Sequence, residues 1–552
     1  MGAVKYLERL KFLLILINVC YALNDDLLVE TPIGSIKGLS SENGDFSMFM
    51  GIPYATVNAS NPFGPSIPHP GFETTFEAFD DSGKCPQIDY FTNELTGTLD
   101  CLHLNVYVPN TASSTNRLPV MVWIFEGGFR RGFPGRYVYG PNFIVRHDVI
   151  LVTINYRLGP YGFMCLDSPD IPGNQGLKDQ LAALRWIKNN IEAFGGDTER
   201  ITLFGNSAGS ASSEIHFLYT NENLFKNIIL QSGAMFVNDV NINIPLQIAE
   251  ELGFETTDFN VAVKFLSTVD SNLVIAASQE LGIQYGPCLE KEFENVERLI
   301  TEHPLYAQSP NTKTTSILLG FGSQEGLGVL PNMSSIPFPP PPSLPPIPLP
   351  PIDPFNIVLG QFFNFTDESY LDLMAQNVRH FYIGDNDINL GTAVELLDFV
   401  SDFGFAHPTL RQFHKYSADG VNTMYLYMFS YSGNRNFYKR RFGINVGGAA
   451  HTDELGYLFD VSFFDENPSA NDQLIIDRMT ALWTNFAKYG NPTPEITDLL
   501  PVQWRTITPQ VYNYLNIDLQ MDLLQSPHQK RMTYWDLFFR LNEKYQSGYR
   551  EN

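Results

Sequence analysis

Residues 119–125 (PVMVWIF) and 149–155 (VILVTIN) are runs of β-branched and aromatic side chains with little polar alternation. That is the pattern of strands buried on both faces. Over 176–194 (GLKDQLAALRWIKNNIEAF) apolar side chains instead return at intervals of three and four, after Gly-Asn-Gln and up to Gly195-Gly196. This spacing predicts a helix. Residues 200–204 read as a short strand, Ala208 onward as a helix, and 227–230 and 315–321 as further strands. Strand and helix in alternation imply an α/β fold with a mostly parallel central sheet and helices on both faces. No internal repeat and no linker between independent domains interrupts the pattern.

One segment breaks it. Residues 336–355 (IPFPPPPSLPPIPLPPIDPF) hold eleven of the chain's 37 prolines. Proline fixes φ and lacks an N–H, so the run is expected to be a polyproline-like surface insert that belongs to neither helix nor sheet. It begins soon after Glu325, which places its root near whatever site that residue serves.

The chain has 552 residues, 44% of them hydrophobic and 17% charged, enough apolar content for a large core. Its formal charge is −25. Such acidity repels phosphate backbones and argues against a nucleic-acid partner. At the N-terminus Lys5, Arg9 and Lys11 precede the apolar run 12–19, and Cys20-Tyr21-Ala22 supplies small residues for cleavage. Residues 1–22 therefore read as a signal peptide, leaving 23–552 as a single exported domain. The run is too short to cross a bilayer, no later stretch is apolar enough, and the C-terminal GYREN is neither a retention signal nor a lipid-anchor tail. Secreted, extracellular localisation is the expectation.

Four cysteines remain beyond residue 22. Cys85 and Cys101 are close enough to close one small loop; Cys165 and Cys288 are either a second pair or two buried thiols. No Cys-x-x-Cys or His-Glu-x-x-His occurs, so neither metal nor cofactor is expected. Asn58, Asn332 and Asn364 head glycosylation sequons.

The chemistry starts at Gly205-Asn206-Ser207-Ala208-Gly209, a G-x-S-x-G pattern between an expected strand and an expected helix. In that context the serine hydroxyl stands on a sharp turn at the sheet's C-terminal edge, with the helix N-terminus aimed at it. A serine needs a base, and the base a carboxylate to orient it, in the order Ser, acid, His along this kind of chain. Glu325 lies in Gly322-Ser323-Gln324-Glu325-Gly326, directly after the 315–321 strand. His451 follows the small-residue loop 447–450, which lets an imidazole project. Strand-end loops on one edge of a parallel sheet converge on one crevice. His407 and His414 fall in a helical stretch and His528 lies near the C-terminus, where surface or packing roles are expected.

With these motifs in place the sequence resembles the type-B carboxylesterases, a family that includes cholinesterases and insect esterases, over nearly all of 23–552. The similarity is carried by Phe194-Gly195-Gly196 through Gly209, by Asp100-Cys101-Leu102 with Leu104-Asn105-Val106, and by Gly51-Ile52-Pro53-Tyr54-Ala55. Asn155-Tyr156-Arg157-Leu158-Gly159, Asn174 through Gln180 and Gly448 through Leu455 add to it, the last most like insect members. The resemblance implies an α/β-hydrolase fold, a Ser207–Glu325–His451 triad, a Cys85–Cys101 disulfide and oxyanion donors at the N–H groups of Gly127, Gly128 and Ala208. It further implies a serine esterase acting through an acyl-enzyme, the alternative being a silent binding or adhesion protein on the same fold.

Departures refine this. The family's oxyanion loop usually reads His/Tyr-Gly-Gly-Gly-Phe, and here it is Phe125-Glu126-Gly127-Gly128-Phe129. Glu126 would oppose a developing oxyanion unless it points away or Arg130 or Arg131 neutralises it. A family ion pair is replaced by Leu99 and Pro62, which reads as structural drift. Asn206 stands where cholinesterases carry an acid, Gly328 and Val329 where they carry aromatic rings, and the Cys85–Cys101 loop has no tryptophan. A quaternary-ammonium platform is therefore missing, and the expected small-molecule substrates are neutral carboxylic esters. Juvenile hormone esterases, also similar, usually place glutamine at 206. The sequence gives no reading of oligomeric state.

Overall fold

The computed structural model describes residues 27–237, 240–328, 354–365, 367–445, 447–464 and 466–547. The expected signal peptide 1–22, Asn332 and nearly all of the proline run lie outside these residues. The exceptions are Pro354 and Phe355, which open a helix, Pro354–Phe362, in place of the polyproline expected there. Proline is tolerated in a helix's first turn, where its missing N–H would be unpaired anyway.

The main sheet has eleven strands: β1 Leu39–Ser40, β2 Phe46–Pro53, β3 His103–Pro109, β4 Leu118–Ile124, β5 Ile150–Ile154, β6 Gly196–Asn206, β7 Asn227–Gln231, β8 Ser316–Gly322, β9 Met424–Phe429, β10 Asn513–Ile517 and β11 Asp522–Gln525. Their spatial order is β11-β10-β9-β8-β7-β6-β4-β5-β3-β2-β1. The seven strands from β5 to β10 run parallel. Both ends of the sheet are antiparallel. The mostly parallel expectation thus holds at the centre, and the flanks differ for a physical reason: connections as short as those of β1–β2 and β10–β11 cannot return a chain parallel.

Every residue of β4, β5 and β7 is buried, as their unbroken apolar runs require. Helices α1 Gln175–Asn190, α2 Ala208–Tyr219, α3 His407–Ala418, α4 Phe437–Phe442, α5 Ala470–Tyr489 and α6 Gln529–Leu541 belong to the layers that cover the sheet. Helix α5 begins at Ser469, whose hydroxyl accepts from the Asp472 N–H, and ends at Gly490. This α/β-hydrolase architecture brings the C-terminal ends of β6, β7, β8 and β9 to one edge. Leu99 packs, partly buried, against the apolar cluster that holds Phe63.

Both cysteine pairs are bonded: Cys85 to Cys101, and Cys165 to Cys288. Among the described residues no helix is long and apolar enough to cross a membrane.

Candidate active site

Ser207 joins β6 to α2 with φ 54° and ψ −119°, a conformation a non-glycine residue adopts only under constraint. The constraint is visible at the flanking glycines. A Cβ on Gly209 would lie 2.0 Å from the Ile124 carbonyl oxygen, and one on Gly205 would lie 2.4 Å from Gly209 C. Helix α2 is thus pressed against the end of β4, and Ala208 becomes its first residue beside the serine. The Ser207 N–H is held by the Gln231 carbonyl at the end of β7.

Glu325 follows β8 and is 1% exposed. Its Oε2 is 2.7 Å from His451 Nδ1. Its Oε1 accepts from the Ser232 hydroxyl at 2.6 Å and from the Gly322 N–H. With both oxygens occupied, this carboxylate can hold one imidazole tautomer. Burial alone would push the His451 pKa down, but the Glu325 hydrogen bond and charge outweigh it and leave it raised. The acid loop and the histidine loop are laced together by hydrogen bonds: Gln324 N–H to the Ala449 carbonyl, Ala449 N–H to Ser323 Oγ, and Gly448 N–H to Gln324 Oε1. Phe405 lies against the imidazole, ring centroids 4.6 Å apart, within a single π-helical turn, Asp402–Ala406, that leads into α3.

Two acids shortly after the histidine were not singled out from sequence. Asp453 is fully buried; it accepts from the Ala450, Tyr438 and Lys439 N–H groups and from Asn436, bracing the histidine loop against α4. Burial pushes its pKa up to about 6. Glu454, equally buried, accepts from Asn206 Nδ2 at 2.9 Å and Gln231 Nε2 at 3.2 Å. Burial first, then the Glu325 charge, pushes it up to about 7. The signal was available: consecutive acids inside the apolar stretch 447–459 need partners if they are buried.

The loop Gly127-Gly128 follows β4. Gly127 has φ +112°, and a Cβ there would meet the Arg131 carbonyl oxygen at 1.9 Å, so only glycine fits. Gly128, at φ +63°, faces solvent. Glu126 is 7% exposed, and its Oε2 accepts from the Tyr139 hydroxyl at 2.6 Å. Neither Arg130 nor Arg131 forms its ion pair; the Arg131 guanidinium lies 4.5 Å above the Tyr90 ring. The carboxylate's hydrogen-bond partner is therefore a phenol that sequence gave no reason to choose.

His407 is buried against Asp536, His528 is partly buried immediately before α6, and His414 is exposed, in keeping with packing and surface roles. Of the sequon asparagines, Asn364 is exposed, while Asn58 is partly buried with its Oδ1 taken by Ser60. Among the described residues no cluster of His, Cys, Asp and Glu is arranged to hold a metal.

Three comparisons bear on this site. The model of the Carboxylesterase family matches residues 25–535. A juvenile hormone esterase of Tribolium castaneum is 32% identical over 517 residues, covering 86% of each chain. A bile salt-activated lipase of Bos taurus is 32% identical over 529 residues, covering 89% of this chain and 82% of its own. The crystal structure of juvenile hormone esterase from Manduca sexta, with OTFP covalently attached, superposes with a TM-score of 0.80 at 23% identity. It covers 94% of this chain and 100% of that one, which shows a shared fold.

Proposed function

The chain belongs to the carboxylesterase family and is a carboxylic ester hydrolase, and from that premise we propose that it is a secreted serine esterase cleaving neutral esters through an acyl-enzyme on Ser207. His451 takes the serine proton as the hydroxyl attacks the ester carbonyl, and Glu325 holds the imidazole with its free nitrogen toward the serine. The N–H groups of Gly127, Gly128 and Ala208 receive the oxyanion, each contributing about 3–4 kcal/mol to lowering the barrier. The imidazolium then protonates the departing alkoxide, and a water activated by the same histidine releases the acid. The catalytic unit is one domain after residue 22, carrying glycans at exposed sequons.

The observation that carries this reading is the 2.7 Å Glu325–His451 contact, between loops hydrogen-bonded to each other on the same sheet edge as the constrained Ser207. Apolar side chains near the site support neutral substrates: buried Phe129 beside the oxyanion loop packs on exposed Phe236, and partly buried Phe405 lies against the histidine. A silent binding role gains no support, since all three triad members are retained.

Acyl transfer can be tested by partitioning. Acetate esters of several alcohols, hydrolysed in dilute methanol, should all give one ratio of methyl acetate to acetate, because every ester passes through the same acyl-enzyme. A ratio that changes with the leaving alcohol contradicts the mechanism. In the same assay a neutral acetate should exceed a choline acetate in kcat/KM by roughly tenfold or more, since no desolvated cation site favours the latter.

A further inference from the structure

The loop that carries His451 has almost no side chain with which to hold its own shape. Residues 447–450 are Gly-Gly-Ala-Ala, so the loop's course is set by where its peptide groups find partners. The Gly448 and Ala449 N–H groups reach Gln324 Oε1 and Ser323 Oγ, and the Ala449 carbonyl takes the Gln324 N–H. Asp453 closes the far end. Its carboxylate accepts from the Ala450 N–H, and its own N–H donates to the Ala450 carbonyl. The carbonyls of Gly447 and Gly448 remain, and one side chain takes both.

That side chain is Lys439, on α4 and 4% exposed. Its Nζ donates to the Gly447 and Gly448 carbonyls at 3.2 and 3.0 Å, and to Ser432 Oγ, just past β9, at 2.6 Å. An ammonium has three N–H groups, and here each meets one acceptor. All three acceptors are neutral. Burying a cation among neutral partners is costly, and burial pulls the Lys439 pKa down although the Asp453 charge opposes the shift. A methionine would fill the same space without that penalty. What it could not do is grip two adjacent carbonyls, and hydrogen bonds from a charged donor are about twice as strong as neutral ones.

The path from this grip to the chemistry is short. Gly448 is bound to Gln324, the neighbour of Glu325, and Glu325 lies 2.7 Å from His451 Nδ1. A loop that slips carries the imidazole with it, and a misplacement of about 1 Å can slow a reaction on the order of 10²-fold. We propose that Lys439 is a positioning residue of the hydrolytic site: its buried ammonium holds the Gly447 and Gly448 carbonyls and thereby sets where His451 stands between Glu325 and Ser207. The role rests on the Ser207–Glu325–His451 reading above and acts through the loop, not through contact with the ester.

Two variants test it. Lys439→Met keeps the apolar stem and removes the donors. With folding confirmed by thermal melting, its kcat should fall roughly 10- to 100-fold at nearly unchanged KM, because the ester still binds while the base is misaligned in the transition state. Lys439→Ala deletes the side chain beyond Cβ, and n-propylammonium matches the deleted atoms one for one. That ion should restore part of the lost kcat, whereas tetramethylammonium, a cation without N–H groups, should restore none at the same concentration. The alanine variant carries the test alone if Lys439→Met does not fold. A merely structural role would leave the methionine variant near the wild-type rate and would not tell the two cations apart. A wild-type kcat in Lys439→Met, a loss confined to KM, no rescue by n-propylammonium, or equal rescue by both cations overturns the proposal. Fluorophosphonate labelling of Ser207 in the wild type separates the two claims. Labelling beside an undiminished Lys439→Met rate sinks the role of Lys439 alone, and no labelling sinks the triad reading beneath it.

Discussion

Ser207→Ala and His451→Ala should each lower kcat for ester hydrolysis by about 10⁵-fold or more, with the folded protein intact. The two act as one device. Without the hydroxyl no acyl-enzyme forms, and without the imidazole the hydroxyl keeps its proton at neutral pH. The double variant should lose no more than either single one, because each already leaves only oxyanion binding. Glu325→Gln should cost less, about 10⁴-fold, since the histidine survives but in the wrong tautomer. The fold should tolerate the serine change, because the elbow is held by backbone packing of Gly205 and Gly209 and not by the hydroxyl. Steady-state rates and melting temperatures check both halves. Substantial turnover in either alanine variant would remove the residue from the mechanism.

The second large effect concerns stability. Arg157 and Asp179 are both fully buried; the guanidinium reaches Asp179 Oδ2 at 2.7 Å and Oδ1 at 2.8 Å, and its Nη1 donates to the Pro62 and Gly64 carbonyls. Removing one partner leaves an uncompensated buried charge, so Arg157→Met or Asp179→Leu alone should each destabilise by about 3–5 kcal/mol. The double change to Met and Leu should cost clearly less than the sum, because no orphan charge remains. Chemical denaturation measures this cycle. Additive losses, or a harmless single variant, would show that the pair is not the clamp between the end of β5, α1 and the 62–64 loop.

The nucleophile elbow was legible in sequence because its physics is local: two glycines at fixed offsets, a strand before and a helix after. The strands of the sheet's centre were legible because burial on both faces forces an unbroken apolar run, as in β4 and β5. The antiparallel flanks carry no such mark. Glu325 and His451 could be placed because each lies in a loop of small residues. The partners that set their electrostatics could not. Whether Glu126 meets Arg131 or Tyr139 depends on side-chain direction, which spacing does not encode. Cys165 and Cys288 are 123 residues apart, and a loop of that length leaves their proximity open. The apolar stretch around Asp453 and Glu454 hints at their burial, but which groups they meet is decided by the fold.

The account stands on Ser207 being an activated nucleophile. Incubation of the intact protein with a fluorophosphonate at neutral pH, followed by peptide mass analysis, reads this directly. One phosphonyl adduct per chain on Ser207, slowed as pH falls through the His451 titration and absent from His451→Ala, is the predicted result. A protein that remains unlabelled, or labelled at another residue, would contradict it.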